Sequence, residues 1–383
     1  MTEMDRWGYD IDPDARALRD MMLRFGEEKL APGAAERDRS HSFPTDLIGE
    51  LAALGGMAMK TSHDDDGPGV SNLGYALAIE AIARYDASVA VVMVASNLAA
   101  AIVAQNADDD QRARFVKPAA RGELGALSFA LTEPGTGSDA ANIRTTARRD
   151  GDSWVLNGAK QWITGASHAK LFLVFARLPD EGDTATGAFL VEAGTHGFSL
   201  GRVEDKLGLT SSGTAMLHFD DARIPGANLL GAPGNGLRMA LQGIAPSRIA
   251  IAAESIGIAE RALCLGRDYA RERHAFGQPV AQFQNSRFAL ADARLQLDQA
   301  WLLMLRGAVL LDKGVPIRAE ASMAKLAASE TCWRVVDSML QLHGGNGYSR
   351  EYEIERLYRD ARVMRIFEGT SEIQREVIAR EIA

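Results

Sequence analysis

Four short apolar segments decide the fold of this chain: Ser153-Trp154-Val155-Leu156, Leu171-Phe172-Leu173-Val174-Phe175, Ala188-Phe189-Leu190-Val191 and Ala215-Met216-Leu217-His218-Phe219. They are typical of β-strands, and Asn157-Gly158 and other Gly- or Asp-rich stretches predict turns between them. No helical pattern separates them. A parallel sheet with crossover helices is therefore disfavoured against an antiparallel barrel or sandwich.

Helical patterns precede and follow this β region. Before it, apolar residues recur at helical spacing, and residues 73–104 are apolar enough to require a helix that is buried nearly all round. Polar residues interrupt that stretch, which favours a core helix over a membrane contact. After it, Gly and Pro break long helical segments. The breaks are Gly277-Gln278-Pro279, Gly314-Val315-Pro316 and Gly344-Gly345-Asn346-Gly347.

These patterns predict an α+β protein of several domains. We expect an N-terminal helical domain over residues 1–124, a middle antiparallel β-barrel or sandwich domain over 125–233 and a C-terminal helical domain over 234–383. A chain of 383 residues with 46% hydrophobic and 24% charged residues has enough apolar material for more than one core.

Charge and cysteine content exclude several classes of function. The net charge is −9 and no basic stripe exists, so a nucleic-acid partner is not expected. Cys264 and Cys332 lack C-x-x-C spacing and are interpreted as small apolar residues in a reducing compartment. The acidic N-terminus resembles neither a signal nor a transit peptide. We expect a cytoplasmic protein of a bacterium with no membrane contact, and no histidine or acidic cluster has metal-ligand spacing.

A glycine-rich stretch, Leu131-Thr132-Glu133-Pro134-Gly135-Thr136-Gly137-Ser138-Asp139-Ala140, is the first candidate site. It contains G-x-G-x-x-A, but no crossover helix follows, so a nicotinamide-binding fold is disfavoured. Its backbone N–H groups and the hydroxyls of Thr132 and Ser138 suit a flavin edge or a phosphate. A plain hairpin connection is the alternative.

Two further segments carry candidate residues. Lys160-Gln161-Trp162-Ile163-Thr164-Gly165 places an aromatic ring and a hydroxyl on one strand facing that loop, although a core tryptophan is the alternative. Glu368 follows Ile366-Phe367, and partial burial would raise its pKa above about 4.3 and strengthen it as a base. Alternatively, Thr370 is the N-cap of the last helix and Glu368 is solvated just before it.

Taken together, the segments resemble the acyl-CoA dehydrogenase family over almost the whole chain. The motifs that carry the resemblance are Thr132-Glu133-Pro134, Gly137-Ser138-Asp139, Trp162-Ile163-Thr164, Arg273-x-x-Phe276-Gly277, Gln341-x-x-Gly344-Gly345 and Glu368-Gly369-Thr370. The stretches 151–158, 204–208 and 324–330 are most similar to the short-chain branch. The resemblance implies a C-terminal four-helix bundle and a homotetramer, a dimer of dimers, in which a neighbouring subunit completes each FAD site.

The resemblance also assigns cofactor contacts. Phe129, Leu131, Thr132, Gly137 and Ser138 would line the flavin, Trp162 and Ile163 would cover it, and Thr164 would contact its reactive nitrogen side. Residues that would hold the pyrophosphate and adenosine across the subunit interface are Arg273, Phe276, Gln284, Gln341, Gly344 and Gly345. Residues that would add contacts near the catalytic position are Thr370, Ser371 and Glu372.

The family's base matches Glu368. By analogy it removes the α-proton of an acyl-CoA while the β-hydrogen leaves as hydride to FAD, giving the trans-2-enoyl thioester, and electrons pass to an electron-transferring flavoprotein. A base of this kind needs a dry site and donors near the thioester carbonyl. Some relatives carry the base just before the arginine matched by Arg248, but here that residue is Ser247.

The resemblance places Ser138, Ala245, Arg248 and Gly369 at the substrate. Ala245 departs from the family, which usually has an acidic residue there, so a thioester carried on a protein stays an alternative to CoA. The glutaryl-type branch has an arginine where this chain has Val89, so we expect a short, neutral, straight or branched acyl group. An oxidase-like or non-catalytic flavin binder is the third hypothesis.

Overall fold

The computed structural model describes residues 11–383. Helices form the N-terminal part of the described chain, and several have clear start signals. Asp86 caps α5 by accepting a hydrogen bond from the backbone N–H of Val89 at 3.1 Å. The helices are α1 (Pro13–Phe25), α2 (Ala31–Ser40), α3 (Thr45–Ala53), α4 (Asn72–Ala83), α5 (Ala87–Asn106), α6 (Asp109–Gln111) and α7 (Lys117–Ala120).

Helices α4 and α5 are buried on nearly all sides, as the uniformly apolar stretch 73–104 predicts. Helix α5 is long and apolar enough to cross a membrane by length and composition, but 83% of that window is buried inside the protein. Buried Asn97 on α5 donates to the Gly56 and Met93 carbonyls and accepts from Met59 N. The helix is therefore a core element of the fold.

The middle of the chain forms one eight-stranded sheet, with the order β6-β7-β3-β2-β4-β5-β8 and with β1 also paired to β4. Its strands are β1 (Ser128–Ala130), β2 (Thr146–Asp150), β3 (Ser153–Ile163), β4 (Leu171–Arg177), β5 (Thr186–Glu192), β6 (Phe198–Val203), β7 (Ala215–Pro225) and β8 (Leu229–Leu230). The four predicted strands correspond to parts of β3, β4, β5 and β7.

Strand β4 explains why one predicted segment is apolar without alternation. Leu171, Leu173 and Phe175 pack in a cluster shared with helix α5, whereas Phe172 and Val174 pack in a second cluster inside the sheet. Both faces are buried, so both sets of side chains are apolar.

Two features of the sheet differ from the sequence prediction. Asn157 and Gly158 do not form a turn but lie inside β3, where the pairing with β7 shifts register between Leu156 and Gly158. Asn157 Oδ1 accepts from Asp221 N across the strands at 2.9 Å, which holds this bulge. The sheet is also not wholly antiparallel, because β1 and β2 both run parallel to β4.

The parallel pairs show what the glycine-rich loop does. β1 pairs with Phe172 to Val174 of β4, and Thr146 at the start of β2 pairs with Arg177 of the same strand. The two strands therefore lie end to end along β4. Residues 131–145 leave this line and return to it, so the loop is an excursion between collinear strands and not a hairpin connection.

The C-terminal part is helical and contains three long helices, α8 (Gly236–Glu272), α9 (Gln284–Asp312) and α10 (Arg318–His343). They pack on one another, and α8 also packs on α4 and α5. The shorter α11 (Glu353–Ala361) and α12 (Ser371–Ile382) pack against α10. The three long helices are thus joined by two short ones. The three predicted helix breaks all separate helices, and the first forms a small hairpin of β9 (His274–Ala275) and β10 (Gln278–Pro279).

Candidate active site

A large cleft lies between the sheet, helices α5 and α8, and the segment that precedes α12. Its volume of about 1760 Å³ exceeds that of a pocket for one small ligand. The residues predicted from sequence that line it are Phe129, Leu131, Thr132, Gly137, Ser138, Trp162, Ile163, Thr164, Ala245, Arg248, Glu368, Gly369 and Thr370. The structure thus brings together residues from four separate segments of the chain.

A buried ion pair fixes the base of the glycine-rich loop. Glu133 Oε1 accepts from Lys160 Nζ at 2.8 Å, and its carboxylate also accepts from the backbone N–H groups of Arg144 and Thr145. These bonds join the start of the loop excursion to its end. Burial lowers the pKa of Lys160 to about 8, so the side chain stays cationic at neutral pH. Glu133 and Lys160 therefore hold the loop in one shape beside the cleft.

Trp162 does not lie in the core, which was the alternative interpretation. Its backbone has φ of 62° at the end of β3, where the pairing with β7 shifts register between Lys160 and Ile163. This bulge interrupts the alternation of side chains, and 53% of Trp162 is exposed in the cleft. Thr164 follows just past the strand and presents its side chain to the same cleft.

The residues of the cleft fit an isoalloxazine ring. Among the described residues, the hydroxyls of Thr132, Ser138 and Thr164 make no hydrogen bond with the protein, so three donors face the cleft without a partner. The Trp162 ring supplies a flat apolar surface beside them. Hydroxyls and an aromatic face are the groups that recognise the polar edge and the plane of a flavin.

Glu368 lies on a short segment whose backbone is left-handed at two successive residues. Its φ is 52° and that of Gly369 is 92°. The carbonyl of Gly369 accepts from Lys325 Nζ at 2.9 Å and from Gln374 Nε2 at 2.8 Å. The dihedral favours glycine at position 369, and a Cβ there would also meet Gln374 Nε2 at 2.7 Å and displace the end of that side chain.

The Glu368 carboxyl is desolvated. Its Oε2 atom is buried and makes no hydrogen bond. Burial raises the pKa of Glu368 to about 7, while the cations Arg248 and Lys325 and the Ser247 hydroxyl keep it from rising further. A carboxylate with a pKa near neutral is a stronger base than one in water and is still ionised in a large fraction of molecules.

Arg248 and Lys325 lie near Glu368 without pairing directly with its carboxylate. Arg248 Nε donates to the Glu368 backbone carbonyl at 3.4 Å, and Nη1 donates to Ser322 Oγ at 3.1 Å. Lys325 is fully buried, and burial lowers its pKa to about 8. Glu368 is therefore held by its main chain, and its carboxylate forms no ion pair with either cation.

The three residues predicted to add contacts near Glu368, namely Thr370, Ser371 and Glu372, differ in burial and in whether they line the cleft. Thr370 is the N-cap of α12, since its Oγ1 accepts from Ile373 N at 3.3 Å, so that part of the alternative interpretation is correct. Ser371 is buried and donates to Glu330 Oε1 at 2.7 Å, whereas Glu372 is exposed on the first turn of α12. Only Thr370 of these three lines the cleft.

Six predicted cofactor residues lie outside the cleft of their own chain. All six are exposed, and the Phe276 side chain is 97% exposed with a backbone φ of 51°. Arg273 ends α8, and Gln284 begins α9. The set is Arg273, Phe276, Gln284, Gln341, Gly344 and Gly345.

Sequence reasoning assigned no role to Lys325 and Gln374, although both hold the segment of the base. Lys325 interrupts the apolar face of α10 formed by Ala321, Ala324 and Ala328, and a lysine in such a position is a detectable signal. Gln374 has no comparable signal, because its burial depends on how α12 packs against α10.

Comparisons with known proteins agree with this geometry. Three family models match: "Acyl-CoA dehydrogenase, N-terminal domain" over residues 12–123, "middle domain" over 128–222 and "C-terminal domain" over 234–383. The short-chain specific acyl-CoA dehydrogenase of Rattus norvegicus mitochondria is 44% identical over 365 residues, covering 94% of this chain and 88% of the relative. The butyryl-CoA dehydrogenase structure from Megasphaera elsdenii has a TM-score of 0.95 and 36% identity, covering 98% of this chain and 99% of that one.

A cleft lined by hydroxyls without a protein partner, an aromatic face and a desolvated carboxyl fits a flavin-dependent oxidoreductase. The chain belongs to the acyl-CoA dehydrogenase family. It is an FAD-dependent acyl-CoA dehydrogenase with the family's three-part fold.

Proposed function

We propose that the protein dehydrogenates a short, neutral acyl-CoA to the trans-2-enoyl-CoA, with Glu368 as the base that removes the α-proton. The observation that carries this proposal is the desolvated Glu368 carboxyl, with a pKa raised to about 7, in the wall of the cleft. When bound, FAD accepts the β-hydrogen as hydride. The protein's own contribution is to exclude water, to orient the thioester and to take the proton.

The wall of the cleft beside Glu368 supports a neutral acyl group. Helices α5 and α8 contribute apolar side chains there, namely Val91, Val94, Ala95, Leu98 and Ile251. Residues 88–94 carry no cation that would pair with a distal carboxylate. Leu98, Gln242 and Pro246 line both the cleft and a smaller neighbouring cavity. A short chain is supported by the 44% identity to the short-chain specific relative.

The charged residues of the cleft support a CoA thioester over a carrier-bound one. Arg238, Arg318 and Arg380 line it and could pair with the phosphates of CoA. Ala245 also lines the cleft, and this departure from the family favours a carrier-protein thioester as the second candidate. Electrons would pass to an electron-transferring flavoprotein. One chain of a solved structure described as the electron transferring flavoprotein of Acidaminococcus fermentans matches this protein with a TM-score of 0.95 and 34% identity.

Anaerobic mixing of the flavin-loaded protein with acyl-CoAs tests the reaction and its substrate. We expect butyryl-CoA or a neighbouring short or branched chain to bleach the visible flavin band, and we expect Glu368→Gln to slow bleaching by about 10²-fold or more. Glu351→Gln, an exposed glutamate outside the cleft, is the control. If the protein binds FAD but no CoA thioester bleaches it, CoA thioesters are refuted as substrates and a carrier-bound thioester is favoured.

We also propose that the active form is a homotetramer in which the six exposed residues complete the FAD site of a neighbouring subunit. Subunit complementation tests it. Glu368→Gln and Arg273→Ala homomers should both be inactive, but co-expression should restore activity, because a mixed pair contains one site with both native residues. Full flavin content in the Arg273→Ala homomer would argue against the shared site.

A further inference from the structure

A second, smaller cavity lies behind the far wall of the cleft. Its volume is about 30 Å³, enough for roughly one or two water molecules. Leu98, Gln242 and Pro246 line both spaces and separate them. The cavity lies between α5 and α8, and nothing in the proposed reaction uses it.

One end of this cavity lies at Ser247, which is close to Glu368. Ser247 lines the cavity, and its Oγ is buried without a hydrogen-bond partner. The Glu368 Oε2 atom is likewise buried and unpartnered. The Ser247 hydroxyl lies close enough to Glu368 to lower the pKa of that carboxyl, although the two groups do not meet in hydrogen-bond geometry. A small rotation of the serine would join them.

The outer end of the cavity reaches the surface of the protein. Gln105, at the C-terminal end of α5, lines it and is exposed. Lys60 lines it and is half-buried. Between the two ends, the Tyr75 side chain from α4 contributes a hydroxyl that can both donate and accept. Polar side chains, including Gln242, therefore line the cavity together with apolar ones, and they offer partners for ordered water.

We propose that Ser247, Tyr75 and water in this cavity form a proton path from Glu368 to the solvent at Gln105. The inference rests on the proposed function, because it concerns the proton that Glu368 takes from the thioester. While an acyl-CoA fills the cleft, the carboxyl has no solvent on that side. A path behind it lets the proton leave before the product does.

The step moves one proton and no electrons. The O–H bond of protonated Glu368 breaks, and its proton bonds to Ser247 Oγ as the serine hydroxyl passes its own proton to the water. The water then gives a proton to the solvent at the outer end, with the Tyr75 hydroxyl orienting it. Glu368 ends as a carboxylate, and Ser247, Tyr75 and the water end with the protons they had at the start.

Anaerobic stopped-flow mixing with a reactive acyl-CoA at pH 8 tests the path, with flavin bleaching and proton release to an indicator dye recorded together. In the wild-type protein we expect proton release to keep pace with bleaching, since pH 8 is above the pKa of Glu368. Ser247→Ala should delay proton release by about tenfold or more and should also slow bleaching, because it raises the pKa of Glu368. Tyr75→Phe should delay proton release equally while bleaching persists. Ala101→Leu, which fills the cavity wall without touching the base, should do the same.

Ser255→Ala is the matched control, because this buried hydroxyl on α8 bonds to the Ile251 carbonyl at 2.8 Å and lines neither space. Loss of bleaching in Ser247→Ala alone would mean that the serine orients the base. Proton release in Tyr75→Phe and Ala101→Leu would then decide whether the path exists. Proton release in step with bleaching in those two variants would overturn the path. Absence of bleaching in the wild-type protein would instead refute the proposed function.

Discussion

Two buried glutamates, Glu133 below the cleft and Glu254 in the helical core, have opposite surroundings. Glu133 pairs with Lys160 and accepts two backbone N–H groups, and although burial raises its pKa, these contacts bring the pKa below its usual value. Both carboxyl oxygens of Glu254 are buried without a hydrogen bond, and burial with the nearby Asp360 and Glu368 raises its pKa well above the usual value. The surroundings of Glu133 favour the anion, which fixes a loop, whereas those of Glu254 favour the protonated carboxyl.

Glu368 lies between these extremes. It is desolvated like Glu254, but it has cations nearby as Glu133 does, although neither cation bonds to its carboxylate. Full pairing would give a weak base, and no cation at all would leave the carboxyl protonated at neutral pH. The comparison indicates that the number and placement of nearby cations set the pKa of a buried glutamate, and Glu368 has the intermediate pKa that the proposed base requires.

The largest effect is expected from removing the partner of Glu133. Lys160→Met leaves a buried carboxylate unpaired, which costs about 3–5 kcal/mol. We expect the variant to unfold at a lower temperature and to lose flavin, because the glycine-rich loop loses its anchor. The double variant with Glu133→Gln should recover part of the loss. A single variant as stable as the double one would contradict the role given to the pair.

A smaller change in stability is expected at Glu254, where the substitution should stabilise the fold. The pKa of Glu254 is higher in the folded protein than in the unfolded chain, where it is about 4.5, so the residue destabilises the fold increasingly as pH rises from the unfolded value towards the folded one. Glu254→Gln should therefore gain stability over the wild type above pH 4.5, at up to about 1.4 kcal/mol per pH unit. Urea unfolding at several pH values measures it.

Glu260, on the same helix, supplies the contrast for that measurement. It accepts from both terminal nitrogens of Arg294 and from Trp301 Nε1, so Glu260→Gln should lose stability. A constant difference between Glu254→Gln and the wild type across the pH range would show that Glu254 does not stay protonated in the fold.

The smallest effect is expected at Lys325, the cation near Glu368, and it concerns the rate of flavin bleaching. Lys325→Met should raise the pKa of Glu368, so the rate of flavin bleaching should fall at pH 6.5, by roughly tenfold at most. The two proteins should converge above pH 8, because Lys325 itself loses its charge there. Lys325→Arg keeps the charge and serves as the control. A uniform loss at every pH would indicate a structural role through the Gly369 carbonyl alone.

Much of the fold could be predicted because local patterns and tertiary packing agree. The four predicted strands and the three helix breaks are where the structure has them, and the resemblance supplied the order of the parts. Asn157-Gly158 misled because a turn dipeptide can also form a bulge within a long strand. The collinear arrangement of β1 and β2 depends on a pairing with β4 that no local pattern encodes.

The candidate site was predictable to the extent that its residues sit in motifs. The motif residues of the loop, of Trp162 and of Glu368 meet in one cleft. The supporting contacts were not predictable, since Gln374 and Ser247 acquire meaning only from packing across helices. Lys60 and Gln105 lie far apart in sequence, and only the approach of the segment after α3 to α5 brings them to one cavity.

The end-to-end placement of β1 and β2 along β4 has a consequence for engineering. Because β4 fixes both strands independently, the length and sequence of residues 134–143 can change without shifting the register of the sheet. Glu133 closes the excursion at its base and must be kept. A library of insertions confined to this stretch would vary the cofactor contacts on an unaltered scaffold, in the way that antibody loops vary on a constant framework.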